Sequence, residues 1–323
     1  MRPYPCLMSA RQVVTDSALA EMRQFNARLE ELLASQPAVN VVGAEATRRA
    51  RAEGRSIFPA PEILPQGRDR AIPGRSGDVA VRVFVPEQVT GVFLHIHGGG
   101  WALGGANQQD VGLWRLARET RAAVVSVDYR LAPEHPYPAG PDDCEDAALW
   151  LVERARSEFG TSRLAIGGES AGAHLSVLTL LRLRDRHGIR DAFTAASLVY
   201  GAFDLSMTPS QRRWGERYLV LSGPIIRWFV EQFLPGVDSE GLRSPEISPL
   251  YADLTGLPPA QFVVGPLDPL LDDSLFMAAR GEAAGGESRV LVYPDAVHGF
   301  TLFPIEVAEL ANRAQADFLR EAR

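Results

Sequence analysis

The fold prediction rests on the stretch Gly167-Gly168-Glu169-Ser170-Ala171-Gly172, which stands between a short apolar run and a helical pattern. A serine with glycines two residues before and after it arises by chance in about 0.15 places in such a chain, so the match alone is weak. Its surroundings strengthen it, because a strand that turns sharply into a helix needs small flanking residues and pushes the serine hydroxyl outward. The stretch therefore predicts a nucleophile at Ser170. The alternative is a glycine-rich turn that binds an anion, such as a phosphate-binding loop.

Short β-branched runs alternate with helical patterns on both sides of this turn. The predicted strands cover residues 79–85, 92–96, 123–127, 164–166, 195–199, 262–264 and 290–293. Helical patterns between them include residues 146–159, 171–186 and 273–284. Continuous apolar strands that alternate with helices indicate a mostly parallel sheet covered on both faces. We therefore predict a single α/β domain over residues 1–323.

Two segments fall outside this alternation. Residues 17–34 place apolar side chains three and four positions apart, which is typical of an amphipathic helix. Residues 205–241 are rich in Trp, Tyr and Phe and stand between two strands, where an insertion would lie over the strand ends. We expect a helical cap formed by about 1–50 and 205–241, with its two parts packed on each other. Residues 54–77, which hold four prolines, are interpreted as an irregular connection.

A serine hydroxyl needs a base and an orienting acid to act as a nucleophile at neutral pH. His298 follows the last predicted strand, and Asp268 follows the strand before it. In a doubly wound sheet both positions lie at the strand ends that also carry Ser170. The resulting order of serine, acid and histidine is the order used by α/β sheets of this kind.

Other residues compete for these roles. His135 in a proline-rich loop and His174 one helical turn after the serine are weaker candidates for the base. Asp272 and Asp273 stand at the start of a helical pattern, where a carboxylate caps backbone N–H groups. Asp295 lies close enough in sequence to contact His298, although a role in a turn is equally compatible with its position.

A glycine run supplies the third element of the predicted chemistry. His97-Gly98-Gly99-Gly100-Trp101 follows a predicted strand, and successive glycines leave backbone N–H groups unshielded. With the N–H of Ala171 they would stabilise the negative oxygen of a tetrahedral intermediate. His95 and His97 share one strand face, but no third ligand appears at a suggestive spacing, so we expect no metal.

Five motifs, in this order, resemble those of the bacterial hormone-sensitive-lipase-like esterases of the α/β-hydrolase superfamily. They are His97-Gly98-Gly99-Gly100-Trp101, Asp128-Tyr129-Arg130-Leu131-Ala132-Pro133-Glu134, Gly168-Glu169-Ser170-Ala171-Gly172, Asp268-Pro269-Leu270 and His298-Gly299-Phe300. The resemblance runs from about Val79 to the C-terminus and implies an α/β-hydrolase fold with a helical cap. One departure is Glu169, where this family more usually has Asp or Thr.

The resemblance also implies functional roles. It assigns the catalytic triad to Ser170, Asp268 and His298, and the oxyanion donors to the N–H groups of Gly99, Gly100 and Ala171. The family favours short or medium acyl chains over long lipids. It also includes a plant hormone receptor that has lost its base, so an inactive ligand receptor is an alternative, against which the presence of His298 counts.

Composition excludes several other functions. The chain has no Lys, which excludes Schiff-base catalysis, pyridoxal phosphate attachment and a P-loop lysine. Two cysteines, Cys6 and Cys144, cannot form a four-thiolate zinc site, and we expect both as reduced thiols. A net charge of -7 argues against nucleic acid as a partner. No apolar run indicates a signal peptide or a membrane span, so we expect a cytoplasmic location.

Together these observations predict a serine carboxylesterase that hydrolyses short- to medium-chain esters through an acyl-enzyme, without a cofactor. Trp101, Tyr200 and Phe203 are predicted to line an apolar substrate pocket. An amide hydrolase such as an arylformamidase would use the same machinery and is a second alternative. A homodimer is also compatible with the sequence.

Overall fold

Nine strands form one sheet in the computed structural model, which describes residues 7–9 and 14–321. They are β1 (Leu7–Ser9), β2 (Gly67–Ile72), β3 (Val79–Phe84), β4 (Gly91–Ile96), β5 (Ala122–Asp128), β6 (Leu164–Glu169), β7 (Phe193–Val199), β8 (Ala260–Val264) and β9 (Ser288–Val292). Their order across the sheet is β1-β9-β8-β7-β6-β4-β5-β3-β2. Strand β3 runs antiparallel to β2 and β5, and the other neighbouring pairs are parallel. The predicted α/β fold with a mostly parallel sheet is confirmed.

Helices cover both faces of this sheet. They are α1 (Asp16–Ala34), α2 (Val39–Ala52), α3 (Asp110–Thr120), α4 (Ala139–Phe159), α5 (Ala171–His187), α6 (Pro209–Trp214), α7 (Gly223–Phe233), α8 (Leu271–Ala283) and α9 (Glu306–Glu321). In β4, Leu94 packs in the core beside α4 and α5, whereas Phe93 packs beside α3 and α9. Every side chain of β4 is therefore buried, which explains its continuous apolar sequence.

Two elements fall where the sequence did not predict them. Strand β2 lies within the segment expected to be irregular and pairs with β3 at the edge of the sheet. Its central residues, Arg68 to Ala71, are exposed, so it lacks the apolar pattern that marks a buried strand. Helix α2 was also missed, because a kink at Gly43, with φ of 84°, interrupts its pattern.

The two segments expected to form a cap do not meet as a simple pair. The apolar face of α1 packs with residues of α9, and its Glu30 pairs with Arg217 of the insertion at 3.0 Å. It is α2 that packs directly against α7 of the insertion. The expected contact between the segments is thus shared by two N-terminal helices.

The structure describes one of the two cysteines that were predicted to be reduced thiols. Cys144 is a buried free cysteine in α4, and burial raises the pKa of its thiol well above the usual value. Cys6 lies outside the described residues. Among the helices of the described part of the chain, none is both long and apolar enough to cross a bilayer.

The buried His174 of α5 connects this helix by hydrogen bonds to the glycine loop after β4. His174 accepts a hydrogen bond from the indole N–H of Trp101 at 3.1 Å and donates one to the carbonyl of Ile247 at 2.7 Å. Burial lowers the pKa of His174 to about 4, although the bond to the carbonyl favours the protonated form. The neutral ring therefore satisfies both partners. Protonation of Nδ1 would place its N–H against the indole N–H of Trp101, and two donors repel each other.

This arrangement makes stability depend on pH. Because the folded-state pKa lies below the unfolded value of about 6.5, the stabilisation is present above pH 6.5 and is lost as the pH falls toward 4. Between pH 7.5 and pH 5 we expect the wild type to lose about 2 kcal/mol more unfolding free energy than His174→Gln, measured by urea denaturation. The exposed His135 gives the control, since His135→Gln should keep the wild-type slope. Equal slopes for wild type and His174→Gln would contradict this account.

Candidate active site

Ser170 occupies a strained turn between β6 and α5. Its backbone has φ of 55° and ψ of -119°, and its N–H donates to the carbonyl of Val199 at 2.9 Å. A Cβ atom at Gly172 would overlap the carbonyl oxygen of Ile96, so glycine is required where α5 begins beside β4. The turn places Ser170 in the lining of a cavity at the ends of the strands.

Three side chains predicted to act together are within hydrogen-bond distance. The Nε2 atom of His298 is 3.0 Å from Oγ of Ser170, and its Nδ1 atom is 2.8 Å from Oδ2 of Asp268. The second oxygen of Asp268 accepts the N–H of Leu270 at 2.8 Å. Since the buried carboxylate accepts a hydrogen bond from the N–H at Nδ1, Nε2 is left unprotonated and can accept the serine proton.

The competing residues have other partners. Asp272 accepts the N–H of Ser210, and the buried Asp273 accepts the backbone N–H groups of Phe203 and Asp204, just before the insertion. Asp295 pairs with Arg23 of α1 at 2.7 Å rather than with the histidine of the site.

The glycine loop lies beside the serine with free donors. Gly99 and Gly100 have φ values of 120° and 60°, which turn their N–H groups out of the regular strand direction. Among the described residues, the N–H groups of Gly99, Gly100 and Ala171 have no protein acceptor. A Cβ atom at Gly100 would overlap the ring of Phe229 in α7. Three unpaired donors thus line the same cavity as Oγ of Ser170.

Glu169, the residue that departs from the family pattern, is held by two side chains. Its carboxylate lies 3.1 Å from Nε2 of His95, and it accepts a hydrogen bond from Nε2 of Gln109 at 3.1 Å. Burial alone would raise the pKa of Glu169, but the charge and hydrogen bond of His95 and the bond from Gln109 bring it below its usual value. Sequence reasoning missed Gln109, which shows no motif. His95 was the available signal, because it stands on the strand next to β6.

The two histidines considered as metal ligands have different environments. Besides Glu169, His95 contacts the hydroxyl of Ser126 at 2.8 Å. His97 stacks on Tyr129, with ring centroids 4.3 Å apart. Within residues 14–321 no group of three or more His, Cys, Asp or Glu side chains is placed to hold a metal ion.

The cavity has a volume of about 970 Å³, and α2 and α7 contribute to its roof. Trp101 and Tyr200 are among its lining residues, and their contact with substrate stays a prediction. The prediction for Phe203 is wrong: this side chain is fully buried and packs on Phe262, with ring centroids 6.0 Å apart. Its backbone N–H is bound by Asp273, which turns the ring away from the cavity and into the core.

Comparison with known proteins agrees with this geometry. Residues 93–302 match the model of a family described as having the alpha/beta hydrolase fold. A carboxylesterase of Mycobacterium tuberculosis, NlhH, is 37% identical over 90% of this chain and 94% of its own length. The ethyl acetate hydrolase of Pseudomonas putida is 32% identical over 72% of this chain and 74% of its own.

A solved structure extends the likeness to three dimensions. The hyperthermophilic esterase of the archaeon Pyrobaculum calidifontis superposes with a TM-score of 0.82 at 30% identity, covering 92% of this chain and 97% of that chain. Family, relatives and solved structure agree on one assignment. The chain belongs to the hormone-sensitive-lipase-like branch of the α/β-hydrolase fold, and it is a carboxylic ester hydrolase.

Proposed function

We propose that Ser170, His298 and Asp268 hydrolyse small carboxylic esters through a covalent acyl-enzyme. The observation that carries the proposal is the unbroken hydrogen-bond path from Asp268 through His298 to Ser170, which ends in the cavity. A buried carboxylate that holds the imidazole in one tautomer, with a hydroxyl at its other nitrogen, is the arrangement that activates a serine.

In the first half of the reaction, Oγ of Ser170 attacks the ester carbonyl while Nε2 of His298 accepts its proton. The carbonyl oxygen becomes negative and accepts hydrogen bonds from the free N–H groups of Gly99, Gly100 and Ala171. Asp268 stabilises the imidazolium that forms. His298 then donates its proton to the departing alcohol, and the acyl group remains on the serine.

Water completes the cycle. It attacks the acyl-enzyme while His298 again accepts a proton, and the same donors stabilise the second tetrahedral intermediate. The carboxylic acid leaves, and the proton returns to Oγ of Ser170. Apart from the ester and water, each step uses only groups of this chain, so the proposed chemistry involves no cofactor.

Substrate size follows from the roof of the cavity. We propose that residues 1–50 and 205–241 act as a cap, because α2 and α7 contribute lining side chains above Ser170. A roofed cavity accommodates a small ester, as the name of the ethyl acetate hydrolase relative also suggests. Long flexible chains bind at a disadvantage, because ordering them costs conformational entropy.

The nucleophile is tested by Ser170→Ala. We expect kcat for 4-nitrophenyl butyrate to fall by at least a thousandfold with the melting temperature unchanged within a few degrees, because this hydroxyl forms the covalent bond. An alkyl fluorophosphonate should label the wild type at Ser170 alone, as read by mass spectrometry.

The exposed Ser157 on α4 provides the matched control. Ser157→Ala should keep full activity and the same label. More than a few per cent of activity in Ser170→Ala, or a label on another residue, would disprove the assignment.

The cap is tested by chain length. We expect kcat/KM to peak for acyl chains of about two to eight carbons and to fall at least tenfold at sixteen, without activation at an oil–water interface. Phe229→Ala should raise the ratio of dodecanoate to butyrate hydrolysis, because it removes a ring that roofs the site.

Phe276→Ala is the control for this change, since Phe276 is exposed on α8 and does not line the cavity. It should leave the ratio unchanged. Equal efficiency of the wild type on acetate and palmitate esters would refute the cap proposal.

A further inference from the structure

One cation in the lining of the cavity lacks an acidic partner. Arg51 stands near the end of α2, and within the described part of the chain its guanidinium forms no hydrogen bond or ion pair. Its Nε atom is nevertheless buried. The contact that it does make is with an aromatic ring, since its guanidinium carbon lies 4.7 Å from the centroid of Phe58.

Other arginines of the lining differ in this respect. Arg49 pairs with Glu45, Arg55 with Glu53 and Arg115 with Glu309. Burial lowers the pKa of Arg51 to about 10, and the nearby phenol of Tyr218 compensates only in part. At neutral pH the guanidinium is still charged, so the cavity contains a positive charge that no side chain of the described residues neutralises.

This charge shares the cavity with Ser170 and His298, and an aromatic ring lies between it and the histidine loop. Phe58 stacks on Phe303, with ring centroids 5.3 Å apart, and its ring edge is 3.2 Å from the position of a Cβ atom at Gly299. Gly299 directly follows His298. The ring of Phe58 therefore contacts the guanidinium of Arg51 and also lies against the backbone of Gly299.

The chemistry of guanidinium indicates the group that would complete the site. A desolvated cation without a partner is unfavourable, and a planar guanidinium binds a carboxylate through two parallel charged hydrogen bonds. The hydroxyl of Tyr218 also lines the cavity and has no hydrogen-bond partner among the described residues, so it provides a further donor.

The position favours one half of the ester. In the proposed reaction His298 donates its proton to the departing alcohol, so the alcohol half lies on the side of the base. Phe58 lies on that side, next to Gly299, and the guanidinium of Arg51 lies over the ring of Phe58.

Resting on the proposed function, we propose that Arg51 binds a carboxylate carried by the alcohol half of the substrate. The preferred substrates are then esters of hydroxy acids rather than esters of neutral alcohols.

The test uses two esters of nearly equal size, 4-acetoxybutanoate and 4-acetoxybutanamide, followed by acid release in a pH-stat. The wild type should have at least a tenfold higher kcat/KM for the carboxylate, mainly through a lower KM. Arg51→Gln should lower this ratio at least tenfold. Arg320→Gln on α9 is the control, because this exposed arginine is already paired with Asp317 and lies outside the lining of the cavity; it should keep the wild-type ratio.

A second pair places the charge on the acyl half: the mono-4-nitrophenyl ester of glutaric acid and the matching ester of its monoamide. A preference for the carboxylate in this pair alone would overturn the assignment to the alcohol half. Equal ratios in the wild type and Arg51→Gln would overturn the role of Arg51.

Product inhibition gives a measurement that needs no variant. If Arg51→Gln does not fold, 4-hydroxybutanoate should still inhibit wild-type hydrolysis of ethyl acetate competitively and at least tenfold more strongly than 4-hydroxybutanamide. Equal inhibition would overturn the proposal. Failure of the proposed function looks different, because then neither ester is hydrolysed in a manner that Ser170→Ala abolishes.

Discussion

The close approach of two backbones organises this molecule. The start of α5 lies so near the end of β4 that a Cβ atom at Gly172 would overlap the carbonyl oxygen of Ile96. The nucleophile turn and the glycine loop are continuations of these two neighbouring segments. Their contact therefore determines how far Oγ of Ser170 lies from the unpaired N–H groups of the glycine loop, which we propose as the donors to the reacting carbonyl oxygen.

His298 and Asp268, the proposed base and acid, are positioned by other strands of the same sheet. Asp268 follows β8 and His298 follows β9, on parallel strands whose carboxyl ends share an edge with β6. The sheet brings His298 within hydrogen-bond distance of Ser170, 128 positions away in sequence, and of Asp268, 30 positions away. The strands of the sheet thus position the three side chains. The proposed cap segments carry none of the three, so they can vary to determine which esters enter.

Residues with strong local signals were predictable from sequence, and residues defined by long-range packing were not. Ser170, Asp268 and His298 follow predicted strands, so the parallel sheet implied their proximity. Phe203 follows a strand too, but Asp273, 70 positions later, turns its backbone, and local sequence does not show this. Strand β2 and helix α2 lacked the regular apolar pattern of buried elements. The cytoplasmic location and the homodimer stay predictions.

The contact between the ring of Phe229 and the backbone of Gly100 has a consequence for how this enzyme can diversify. The two positions cannot vary independently, since any side chain at Gly100 requires a smaller residue at position 229. A lineage can therefore shrink residue 229 and widen the roof while Gly100 stays, but it cannot add a side chain at position 100 beneath an intact Phe229. The order of such changes is thereby set: the roof residue of α7 has to change before the loop residue can.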